Sequence, residues 1–185
     1  PRVVPDAQKI GEISYDEMME LASLGTKVMQ SRSVEFAKKF NVKFEVRSSL
    51  NNNPGTIVME ETDSMEAVVV RGVSQDSNQA KMTVTAVPDK PGHAAAVFIA
   101  LAEAAVNVDM IVQNVSHGTA TPATDISFTA DAPDLPRARQ VIADLKDEIG
   151  YAAVEGDETI AKVSVVGVGM RTHPGVAAKV FETLG

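Results

Sequence analysis

The residues whose types and order could do chemistry are Asp89, Lys90, Pro91, Gly92, His93 and Ala94. They form a polar loop that runs through Pro-Gly into an Ala/Val-rich stretch. Such a loop, entered from an apolar strand and ending at a helix start, leaves backbone N–H groups without intrahelical partners. A small anion such as an amino-acid carboxylate can use them, while the Asp89 side chain could hold an ammonium. The bland alternative is a polar turn before a helix. Against it stands a repeat. Lys81–Leu101 (KMTVTAVPDKPGHAAAVFIAL) and Lys162–Leu184 (KVSVVGVGMRTHPGVAAKVFETL) share the apolar strand, the polar loop, Pro-Gly, and a helix with Phe at matching positions. Pro174 follows Pro91 by 83 residues, so the repeat unit is the size of a domain.

Composition bounds what these loops can serve. The chain has 185 residues, 44% of them hydrophobic, enough for one to two soluble domains with real cores. It has no Cys, which removes disulfides, thiolate metal sites and cysteine nucleophiles. No apolar run approaches the roughly 18–20 residues of a membrane span, and no signal peptide is visible, so the expectation is a cytoplasmic protein. Residues 1–60 carry eight Lys/Arg and eight Asp/Glu, and the whole net charge of −8 therefore lies in residues 61–185. An acidic half with few aromatics and no basic stripe argues against nucleic acid. His93, His117 and His173 sit in or beside loops at no metal-binding spacing and read as surface residues. Arg32 and Arg47 read as members of structural ion pairs.

The elements that must hold these loops divide the chain. Ser14-Tyr-Asp-Glu17 is a capping box opening a helix that the apolar pattern carries to about Gln30. A second helix is expected over 33–40, strands over 42–47 and 56–59, and a turn at Asn51-Asn-Asn-Pro-Gly55. A linker near 60–64 leads to a strand over 66–72. Then come strand 81–87, helix 92–105, strands 106–115 and 123–130, helix 133–149 and a short strand 151–155. That βαββαβ order is the ferredoxin-like unit. From Ile160 the pattern restarts and reaches Gly185 inside its first helix. Together with Pro1 in place of Met, this leads us to expect a piece of a longer chain.

The run Glu20–Ala37 (ELASLGTKVMQSRSVEFA), continuing to Val46-Arg-Ser-Ser49 and Asn53-Pro-Gly-Thr56, closely resembles the end of the kinase domain of aspartokinases. Pro1-Arg-Val-Val-Pro5 resembles the tail of that family's Asp-Pro-Arg motif. Ala67–Glu182 resembles the pair of ACT domains that follows, above all in Val84–Gly92 and Asn107–Ser116. The resemblance implies an α/β (α+β) architecture: residues 1–60 from the C-terminal part of an amino-acid-kinase domain, 61–80 a linker and a strand shared with the second ACT module, 81–158 the first ACT domain, and 159–185 the start of a truncated second.

It also implies an activity, transfer of the ATP γ-phosphoryl group to the side-chain carboxylate of L-aspartate, the first step toward lysine, threonine, methionine and diaminopimelate. Mg is expected with the ATP. By resemblance Pro1, Arg2 and Lys27 touch the nucleotide. The phosphate-binding and aspartate-binding motifs would lie upstream, so the chain by itself is expected to be inactive and mainly regulatory. An amino-acid effector, threonine or lysine, is implied at Asp89, Lys90, Pro91, Gly92, His93, Ala94, Asn107, Val108, Asp109 and Gln113, with Ser116 and Ser127 nearby. Val176 and Ala177 would contribute backbone from the second repeat, where Arg171-Thr172 replaces Asp-Lys and makes the two sites inequivalent. The turn His117–Pro122 departs from the family's acidic turn. ACT modules also imply a homo-oligomer or a catalytic/regulatory subunit assembly. The alternatives are a free-standing amino-acid sensor without catalysis, against which residues 1–60 argue, and another ACT-bearing enzyme such as a dehydrogenase, which would need an absent GxGxxG loop.

Overall fold

The Ser14–Glu17 box forms as expected and starts the architecture. In the computed structural model, which describes residues 4–26, 28–117 and 122–185 (of Arg171, the backbone alone), Ser14 Oγ accepts from the Glu17 N–H and the Glu17 carboxylate reaches back to the Ser14 N–H. The chain falls into two compact units, residues 1–75 with 163–185, and residues 76–162.

In the first unit, β1 (Glu12–Ser14) pairs parallel with β3 (Thr56–Met59), and β2 (Phe44–Val46) pairs antiparallel with β3. Helices α1 (Tyr15–Ser23) and α2 (Ser31–Lys39) pack on this small sheet. Ile13, Tyr15, Met18, Leu21, Val34, Val58 and Val166 are buried together. Helix α1 stops seven residues short of the expected Gln30. Gly25 takes a left-handed φ of +100°, and the Thr26 N–H returns to the Leu21 carbonyl, closing the helix as glycine commonly does. The strand expected over 66–72 does not form. A short helix α3 (Asp63–Glu66) takes its place, anchored by buried Met65, and strand β4 begins only at Gly72. The Arg71 N–H still donates to the Val166 carbonyl at 2.8 Å.

The second unit holds most of β4 (Gly72–Pro88), from residue 76 on, α4 (His93–Glu103), β5 (Val108–Val115), β6 (Ala123–Asp131), α5 (Leu135–Asp144), α6 (Lys146–Ile149) and β7 (Ala153–Val166) up to residue 162. The sheet order β5-β6-β4-β7 is that of a ferredoxin-like fold. Opposed pairs Met82–Phe128 and Val84–Ile126 put four buried side chains on the helix-covered face. Val97 and Leu101 of α4 and Ala138 and Ile142 of α5 meet them. Thr83 and Ser127 oppose each other on the other face, their hydroxyls 2.8 Å apart. The expected helix 133–149 is two pieces joined at Leu145. The short strand 151–155 and the restart at Ile160 are one continuous β7. β7 runs through Gly156-Asp157, where the Asp157 carboxylate accepts from the Thr159 N–H and hydroxyl.

Candidate functional site

The loop Asp89–Gly92 is fixed from the end of β4. Pro88 pairs with Ala123, the Asp89 N–H donates to the Pro122 carbonyl at 3.1 Å, and His93 Nδ1 lies 3.1 Å from the Pro88 carbonyl oxygen. Gly92 caps α4 in a left-handed conformation, φ +97°. The His93 N–H is committed to the Lys90 carbonyl, whereas the Ala96 N–H turns back to Gly92. Among the described residues that leaves the amides of Ala94 and Ala95 open at the helix start, an anion-accepting end. Asp89, Lys90 and Pro91 are exposed, and no side-chain partner engages the Asp89 carboxylate among the described residues.

A residue that sequence reasoning passed over sets this loop's direction. Between Val84 and Val87 the β4–β6 register shifts, and Ala86 takes φ +52°. Its N–H donates to Asp125 Oδ1 at 2.8 Å. The bulge re-aims the end of β4. Its only sequence signal is a carboxylate at the second residue past the β6 start, which pattern reading does not distinguish from surface polarity.

The other expected contacts lie on or beside edge strand β5. Asn107 is exposed just before it, and Val108 opposes Ala130 and packs on the core. Asp109 forms an ion pair with Lys162. Gln113 opposes Ile126, and its Nε2 donates to Thr124 Oγ1 at 3.2 Å. Gln113 and the loop are thus at the same end of the sheet, since Thr124 in turn opposes Val87. Asp109 lies toward the opposite end of β5 and is already paired with Lys162. Ser116 is half-buried, its N–H on the Ala123 carbonyl, and Ser127 is bound to Thr83. The turn 118–121 is outside the described residues.

In the first unit, the second repeat builds the same start. Gly175 has φ +93°, α7 (Val176–Leu184) begins after it, and the Lys179 N–H returns to Gly175. The amides of Val176 and Ala177 are open there. His173 Nδ1 lies 2.8 Å from the Gly169 carbonyl oxygen. His117 and His173 are exposed, as expected, and His93 is half-buried; His93 and His173 also each brace a loop carbonyl.

Pro1, Arg2 and Lys27 lie outside the described residues. Ala22, Gly25, Thr26, Val28 and Arg32 border a cleft of about 690 Å³. Arg47 pairs with Glu45, as expected. Arg32 does not pair: it is exposed on the first turn of α2, with no carboxylate partner among the described residues. No group of three His, Asp or Glu among the described residues could hold a metal ion, and no helix there is long and apolar enough to cross a membrane.

The ACT domain profile matches residues 82–149 and a second ACT profile matches residues 163–185, each taking in one Pro-Gly loop. The amino acid kinase family profile matches residues 1–48. A chain of the solved aspartokinase alpha and beta subunits is 47% identical, with 62% of this chain and 73% of that one covered and a TM-score of 0.56. The chain belongs to the aspartokinase family. An aspartokinase of Corynebacterium efficiens is 47% identical over the whole of this chain, which spans 44% of that relative's length. E. coli aspartokinase III, solved in complex with lysine and aspartate, is 26% identical over 90% of this chain and 36% of that one, with a TM-score of 0.70. Both aspartokinase modules, kinase and ACT, are therefore represented.

Proposed function

We propose that the whole protein is an aspartate kinase, making 4-phospho-L-aspartate from ATP and L-aspartate, and that this stretch carries its amino-acid-sensing module. The observation that carries the sensing part is the pair of left-handed glycines, Gly92 and Gly175, each opening a helix with free first-turn amides inside an ACT match. Phosphoryl transfer depends on positioning and charge neutralisation. Lys27, Arg2 and Pro1 are proposed at the nucleotide on the kinase side, with Mg arriving alongside the ATP. The protein would act in the cytoplasm, and its ACT modules would pair with those of a second copy or a partner subunit.

At the first loop the arrangement favours threonine over lysine. The carboxylate would sit on the Ala94 and Ala95 amides, the ammonium near Asp89, and the hydroxyl within reach of Gln113. Lysine needs a second anion for its ε-ammonium, and Asp109 lies toward the far end of β5, paired with Lys162. A second reading, a regulatory subunit without catalysis, draws on the 73% coverage of the solved subunit chain; the kinase match over residues 1–48 stands against it. Hydroxamate detection of aspartyl phosphate in the full-length protein, with and without threonine or lysine, tests both. Turnover inhibited by threonine is expected, and threonine binding without turnover would select the second reading.

A further inference from the structure

Glu17 does more than a capping box needs. A glutamine would serve the cap equally, because one acceptor oxygen reaching the Ser14 N–H is enough. Here both oxygens of a carboxylate only 2% exposed are used. Oε2 accepts from the Ser14 N–H at 3.2 Å and lies 3.5 Å from Arg71 Nε, while Oε1 accepts from the Val168 N–H at 3.1 Å. A buried carboxylate is tolerated only when paired and hydrogen-bonded, and two of its partners, Arg71 and Val168, come from distant sequence. Helix α1 is thereby fastened to the segment that enters the second Pro-Gly loop.

That segment is tightly seated. A Cβ on Gly167 would come within 2.2 Å of the Val69 carbonyl oxygen, and one on Gly169 within 2.5 Å of the Glu66 carbonyl oxygen. From Val168 a 3-10 turn runs to Arg171, and the Thr172 N–H and His173 Nδ1 both close on Gly169. Two residues later is Gly175. The other end of α1 is gripped as well: Ser74 Oγ donates to the Leu24 carbonyl at 2.6 Å, and Thr26 binds Leu21. Lys27 is the next residue. Beside the joint, a cleft of about 160 Å³ between α1 and residues 165–170 leaves room for displacement.

We propose that Glu17 is a positioning residue that couples occupancy of the second Pro-Gly loop to α1, and through this nine-residue helix to the segment carrying Lys27. The inference rests on the reading above that the loop takes an amino acid and Lys27 the nucleotide. Coupling of this kind is a free energy shared between two sites and is measured as a ratio of affinities.

The test uses the full-length protein and compares the KM for ATP with and without saturating threonine or lysine. Glu17→Gln retains one acceptor oxygen, so it can hold the Ser14 N–H or the Val168 N–H but not both, and it loses the charge facing Arg71. We expect its effector-induced change in KM to fall at least fivefold toward unity. Its uninhibited kcat should stay within about threefold of the parent, and calorimetry should still detect the amino acid bound. A folded Glu17→Gln protein inhibited like the parent overturns the proposal. If that variant does not fold, Arg71→Gln takes its place under the same criterion. Hydrogen exchange in the unaltered protein decides independently: the amino acid should slow exchange across residues 15–24, and unchanged exchange there would refute the coupling. A parent enzyme insensitive to either amino acid would instead remove the reading on which the inference rests, and the inference with it.

Discussion

Gly92 and Gly175, 83 residues apart in the chain, hold the same left-handed backbone, with φ of +97° and +93°. Each caps a helix that opens with unpaired amides. In neither case would an added Cβ meet any atom within 4 Å. Space does not require glycine at these positions; conformation does.

Alanine at either position should therefore cost only the backbone penalty, about 1–2 kcal/mol. Urea unfolding of Gly92→Ala and Gly175→Ala measures it. Unchanged stability would mean that the helices start with a different cap geometry.

The bulge at Ala86 makes a contrasting pair of changes. Asp125→Ala strips the acceptor from the half-buried Ala86 N–H and should destabilise by about 1–3 kcal/mol. Ala86→Gly relieves the left-handed φ of +52° at the smaller cost of freedom added to the unfolded chain, so it should be neutral to slightly stabilising. Asp125→Asn, which keeps an acceptor oxygen, should fall between. An Asp125→Ala protein as stable as the parent would show that the carboxylate does not hold the bulge.

The parts legible in the sequence were those governed by local rules. Ser14 and Glu17 announce their helix by spacing alone, and the Pro-Gly repeat marks both loops, because a cap is a short-range device. The βαββαβ order followed from alternation and turn residues. What escaped was decided by distant partners. Nothing near Glu17 shows that its second oxygen meets Val168, 151 residues on. The valines at 68–70 read as a strand, yet Val68 and Val70 remain exposed and the buried residue is Met65. Lys162 claims Asp109 across 53 residues, removing a carboxylate that spacing alone would leave to a ligand.

Asp157 carries a pH signature. Hydrogen bonds from the Thr159 hydroxyl and then its N–H favour the ionised carboxylate and hold it below its ordinary value of 3.8. Because the folded value is depressed, its contribution is present above that pH and is lost as pH falls through the folded value. The stability gap between the parent and Asp157→Asn should thus close on acidification. A carboxyl titration by NMR should show Thr159→Val moving Asp157 back up. A Thr159→Val protein with unshifted Asp157 would assign the depression to another cause, such as Lys81.

The effector assignment makes the sharpest demand. Among the described residues nothing engages the Asp89 carboxylate, whereas Gln113 already donates to Thr124, so the two should not matter equally. In the full-length protein Asp89→Ala would remove a charge-assisted contact to the ligand ammonium, worth roughly 1.5–3 kcal/mol. That is about a tenfold or greater rise in the threonine concentration needed for half inhibition. Gln113→Ala removes a neutral hydrogen bond of roughly 0.5–1.5 kcal/mol and should raise it by about two- to tenfold. Uninhibited turnover should stay near the parent's in both, since neither residue is proposed at the nucleotide or aspartate. Lysine offers the control. Among the described residues its ε-ammonium finds no second unengaged carboxylate at the Asp89 end of the sheet, since Asp109 lies toward the far end of β5 and is paired with Lys162, so lysine should inhibit more weakly than threonine. If Asp89→Ala and Gln113→Ala stay as threonine-sensitive as the parent, the ligand does not sit at this loop.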